Sequence, residues 1–79
     1  MKVTSKKEID HKEMVTYIDT YDVRVQVKKG VIVTAECLFE DGEFQDWKGK
    51  TDKDQKIIDK LTNIEVDYMA SLLEAVEIE

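Results

Sequence analysis

At 79 residues with a formal net charge of −6, the chain has room for one domain, residues 1–79, and one modest core, and its charge argues against simple phosphate-backbone binding. A single cysteine excludes an internal disulfide. With no N-terminal apolar run to act as a signal peptide or bilayer span, the expected compartment is the cytoplasm, without membrane contact.

The first fourteen residues are dense in charge. Ser5-Lys6-Lys7-Glu8 has the Ser-x-x-Glu spacing of a helix start, which predicts a short helix from Lys6 to His11 anchored by Ile9. From Met14 to Tyr21 the odd positions Val15, Tyr17 and Tyr21 follow a strand period that Asp19 interrupts, so Asp19-Thr20 is expected as a bulge or corner. Either one bent strand runs from Val15 to Val27, or a separate strand from Met14 to Ile18 precedes a pair of hairpins.

Those two consecutive hairpins are expected between Tyr21 and Trp47. Apolar residues occupy every odd position from Val23 to Val27 and from Val31 to Phe39, the period of half-buried strands. Lys28-Lys29-Gly30 fits a three-residue loop with Gly30 at positive φ, which sets Val27 opposite Val31, Val25 opposite Val33, Val23 opposite Ala35 and Tyr21 opposite Cys37. Cys37 is thus expected as a small buried hydrophobe.

Two loop lengths fit the second turn. A two-residue Asp41-Gly42 turn pairs Phe39 with Phe44 but drives Asp46 onto the apolar face beside Cys37. A three-residue Glu40-Asp41-Gly42 loop places Trp47 inside against Ala35 and Asp46 outside beside Glu36. The second is favoured because a buried carboxylate without a partner is costly. It leaves Ile32, Leu38 and Phe44 together on the outer face.

Lys48 to Thr51 reads as a connector. Thr51 or Asp52 caps a helix carrying Ile57, Ile58, Leu61 and Ile64, and the helical spacing continues through Tyr68, Met69, Leu72, Leu73 and Val76. Thr62-Asn63-Ile64-Glu65 repeats the capping-box spacing, so two helices are expected, with one kinked helix as the alternative. The fold expectation is α+β: a three- or four-stranded antiparallel sheet with two C-terminal helices packed on one face.

Chemistry-bearing patterns are sparse. The one histidine, His11, lies in Asp10-His11-Lys12-Glu13, which lacks the spacing of a specific metal site. Asp52-Lys53-Asp54 starts like a calcium loop without its glycine and closing glutamate. Gly30, Gly42 and Gly49 fit turns and a connector rather than a phosphate cradle. No catalytic, cofactor-binding or metal residue is assigned, and a non-enzymatic protein is expected.

Charge is distributed unevenly. Residues 48–61 hold five lysines (Lys48, Lys50, Lys53, Lys56, Lys60) against three acids, a balance of +2. From Thr62 onward Glu65, Asp67, Glu74, Glu77 and Glu79 stand without a base, a balance of −5. In size, acidity and element content the chain is similar in general character to accessory or inhibitor proteins encoded by phages and other mobile elements, a likeness that rests on no motif.

The functional expectation is an interaction protein that binds a protein partner, or itself as a homodimer. Ile32, Leu38 and Phe44 would form the interface, with Glu36, Glu40 and Asp46 at its rim. A competing expectation has the N-terminal segment covering that face through Ile9 and Met14. The alternative function is a small nucleic-acid-binding module using Lys48, Lys50, Lys53, Lys56 and Lys60 beside Trp47.

Overall fold

The computed structural model describes residues 1–76; Glu77 and Glu79 of the acidic run lie outside the described residues. Four strands, β1 (Lys2–Glu13), β2 (Tyr17–Lys28), β3 (Val31–Glu40) and β4 (Glu43–Gly49), form an antiparallel sheet in the order β1-β2-β3-β4. Two helices follow, α1 (Asp52–Asp59) and α2 (Asn63–Ala75). Among the described residues no helix is long and apolar enough to cross a membrane.

The odd residues of β2 and β3 share the buried face. Tyr21, Val23, Val25, Val27, Val33, Ala35, Cys37 and Phe39 meet Trp47 of β4, Ile58 of α1, and Met69 and Leu73 of α2 in one core. Burying each large apolar side chain contributes about 1.5–3 kcal/mol, and this offsets the ordering of a short chain. Val25 faces Val33, Val23 faces Ala35 and Tyr21 faces Cys37, as the alternation predicts. Nearer the turn the expectation is corrected: Lys28 lies opposite Val31, and Val27 is the extra residue of a bulge. Gly30 has φ of +75° in this turn.

The second hairpin takes the two-residue turn rather than the favoured three-residue loop, with a bulge that neither alternative included. Asp41 and Gly42 have φ of +50° and +83°, the mirror-image two-residue turn that matches strand twist, and Phe39 pairs with Phe44. Gln45 is then a bulge residue: Asp46 lies opposite Leu38, and Trp47 opposite Cys37 rather than Ala35. One extra residue thus turns Trp47 inward and Asp46 outward without the longer loop. The two-residue turn itself sets Phe44 on the core side, where its ring meets Phe39 edge-on at 5.9 Å.

The N-terminal helix expected from Lys6 to His11 is absent; that segment is strand throughout. Thr4 and Ile9 are bulged, so the residues opposite the inward positions of β2 are Val3, Lys6, Glu8, His11 and Glu13. Their spacing of three, two, three, two hides the strand period. The irregularity expected at Asp19-Thr20 lies on β1 instead, and β2 continues unbroken. Residues 14–16 form the turn, so no separate strand runs from Met14 to Ile18; the single long strand is the one present, beginning at Tyr17 rather than Val15. Ile9 and Met14 are exposed and leave the outer sheet face uncovered.

Both helices begin in full capping boxes. Thr51 Oγ1 accepts from Asp54 N while Asp54 Oδ2 accepts from Thr51 N, and Thr62 and Glu65 repeat the arrangement. Asp54 Oδ1 also accepts from Thr34 N at 3.1 Å, tying α1 to β3. These bonds, first among them that from Thr34, hold the Asp54 carboxyl below its usual pKa. Ile64 and Tyr68, expected in the apolar stripe, are exposed.

Candidate functional site

β4 pairs with β3 only back to Ala35, and Lys50 N then donates to Thr34 O as the chain leaves the sheet. From there α1 runs beside β3 in place of a strand. The gap between them is a cleft of about 600 Å³ at the β2–β3 turn. Its floor is aliphatic, formed by Val31 and Ile32 from β3 with Ile57 and Leu61 from α1 and the turn after it. Lys28, Lys53 and Lys60 stand around it, and Glu65 lines it too, engaged by the Thr62 cap and attracted by Lys28. Among the described residues none of these three ammonium groups lies in an ion pair.

The lysine patch expected from residues 48–60 is therefore divided. Lys53 and Lys60 join Lys28 at the cleft, a partner that no local pattern indicates. Lys56 is exposed on α1 outside the lining. Lys50 Nζ lies 2.6 Å from the buried Oδ1 of Asp22 and 4.0 Å from Glu36, and the Asp22 bond raises its pKa. Lys48 lies opposite Glu36. Trp47 is buried in the core and so presents no ring for base stacking.

On the outer face, Ile32 and Leu38 are 54% and 40% exposed. Phe44 does not join them, because the two-residue turn pairs it with the inward Phe39. Glu36, Glu40 and Asp46 are exposed around Leu38: Asp46 lies directly opposite, and Glu40 two residues along the strand faces Glu43. With Asp41 between them, this end of the sheet is acidic, while the β2–β3 turn at the other end carries Lys28 and Lys29.

A third group lies on β1 and β2. The Ile9 bulge brings Glu8 and His11 to one side of the strand, and with Asp19 they offer ligand atoms within 4.8 Å of one another. His11 Nδ1 is paired with Asp19, its Nε2 lies 3.3 Å from Glu13 Oε1, and its ring stacks on Tyr17 at 6.0 Å. The histidine pKa is raised, first by Asp19 and then by Glu13. Asp10 and Lys12 instead approach each other at 3.9 Å. Asp19 and Glu13 satisfy the two ring nitrogens of His11, an arrangement that stands without a bound ion.

Cys37 is fully buried, and burial pushes its thiol up to about 12, so it is protonated at neutral pH and poorly suited to nucleophilic chemistry. Comparison with known proteins finds no matching family model, no matching curated protein and no matching solved structure.

Proposed function

We propose that this chain is a non-enzymatic interaction protein that binds a protein partner through the uncovered face of its sheet. The observation that supports this reading is the exposure of Leu38 at 40% on a face that neither helix nor N-terminal strand covers, within a ring of carboxylates. Apolar contact ringed by charge is the usual anatomy of a recognition surface. The charge favours a partner with a basic rim, and such complementarity speeds encounter. Homodimerisation through the same patch sets Glu40, Glu43 and Asp46 of two copies against each other, so a different protein suits it better than a second copy. A phage or mobile-element accessory role, in the cytoplasm, is the setting its size and acidity suggest. The nucleic-acid alternative is weakened by the burial of Trp47 and the pairing of Lys50.

The test compares the parent with Leu38→Lys and Ile32→Lys by sedimentation and by chemical cross-linking in extracts of the source cell. A discrete cross-linked partner that both variants lose supports the reading. Retention of every partner by both folded variants defeats it, and a concentration-dependent dimer that the variants abolish assigns the face to self-association.

A further inference from the structure

We infer that the cleft between β3 and α1 binds an extended acidic peptide segment, with an apolar side chain on the aliphatic floor and carboxylates on Lys28, Lys53 and Lys60. This site shares Ile32 with the outer-face reading and otherwise rests on different residues, so Leu38, which lies outside the cleft, separates the two.

Three observations point to that occupant. The chain carries an excess of six negative charges, yet three cations converge on one cleft against a single lining carboxylate, Glu65, which Lys28 attracts from beyond ion-pair distance and which the Thr62 cap already engages. Acids elsewhere on the molecule are numerous, so this local excess of lysines over one glutamate presents a positive field on a body that otherwise repels anions. The floor between them is Val31, Ile32, Ile57 and Leu61, and its volume of about 600 Å³ suits one or two side chains.

The third observation distinguishes a polypeptide from other anions. Thr34 turns its N–H and C=O away from β2, to Asp54 and Lys50. By strand alternation Ile32, two residues earlier, presents its own backbone groups along the same edge, where no strand lies beside it. An unpaired strand edge next to side-chain pockets is the arrangement that captures extended peptides by main-chain hydrogen bonding. A nucleic acid is a poorer fit, because among the described residues no aromatic ring lines the cleft for its bases.

The experiment is an anisotropy titration at low salt with a short labelled peptide alternating Glu and Leu, beside the same peptide with Gln for Glu and a labelled oligothymidylate. Saturable binding of the acidic peptide alone is expected, with amide shift changes at Gly30, Ile32, Ile57 and Leu61. A Lys53→Gln/Lys60→Gln variant with native melting should weaken it about tenfold or more, as loss of two charge-assisted contacts requires. Lys28→Gln, on the turn, should weaken it independently, and Leu38→Lys should leave the affinity unchanged, which keeps this result distinct from the fate of the outer face. Absence of saturable binding, affinity indifferent to the lysine variants, or shift changes confined to other surfaces overturns the inference. Tighter binding of oligothymidylate assigns the cleft to nucleic acid, and self-association lost in the lysine variants assigns it to a second copy; either outcome also overturns it.

Discussion

Lys6 Nζ donates to the carbonyl oxygen of Leu73 at 2.8 Å, joining the edge strand β1 to the C-terminal turn of α2. It also donates to Val76 O at 3.3 Å and stands 4.6 Å from the ring centroids of both Tyr21 and Phe39. Lys6 is only 5% exposed, and burial pulls its pKa below the usual lysine value against the opposing effects of Cys37, Glu74 and Asp19. The last turn of α2 has no basic residue of its own, so a cation from a distant strand meets the carbonyl end of its dipole.

Lys6→Met keeps the aliphatic stem and removes the charge. It should destabilise the fold by about 2 kcal/mol, since it strips the donor from carbonyls that stay where they are and removes a cation held against two rings. Urea denaturation measures this. Stability equal to the parent's would show that the buried ammonium contributes nothing net.

Two glycines should respond differently to substitution. Gly30 sits at φ +75° with open space around a built side chain, so Gly30→Ala should cost about 1 kcal/mol through backbone strain, Gly30→Val more, and Gly30→Asn little. A β-carbon on Gly49 would stand 2.4 Å from the backbone nitrogen of Gln55, at the place where α1 packs on β4. Gly49→Ala should therefore cost roughly 2–3 kcal/mol by forcing the helix away. Thermal melts of the two alanine variants give the order, and Gly30→Ala as the more damaging change would contradict the packing at β4.

His11 is expected to titrate above its ordinary value of 6.5, because Asp19 and then Glu13 favour its charged form. A folded-state pKa above the unfolded value means a contribution to stability that is complete below pH 6.5 and is lost as pH rises through the raised pKa. Ring-proton NMR titration should show the raised value, and Asp19→Asn should move it back toward 6.5. A parent His11 that titrates at or below 6.5 would show that the carboxylate pairing is not made in solution.

Local sequence alone determined the strands β2 and β3, the left-handed Gly30 and the two capped helices. In each of these the signal lies in neighbouring residues: an odd-even alternation from Val23 to Phe39, or a threonine three residues before Asp54 or Glu65. The strand β1 was illegible because bulges at Thr4 and Ile9 break its inward positions into steps of three and two, and Ser5-x-x-Glu8 imitates a helix cap. The Gln45 bulge likewise decided that Trp47 and not Asp46 faces the core, while the two-residue turn before it removed Phe44 from the outer face. An inserted residue carries no mark in its own identity; its place depends on which neighbours the partner strand and the helices can bury.

The same distinction holds for function. The residues 48–60 are visibly lysine-rich, but only the tertiary structure joined Lys53 and Lys60 to Lys28, consigned Lys50 to Asp22 and gathered Glu8, Asp19 and Glu13 around His11. Composition fixes how many charges a chain has, whereas the cross-strand register and the point at which α1 leaves β4 decide which charges are neutralised and which remain to meet a partner.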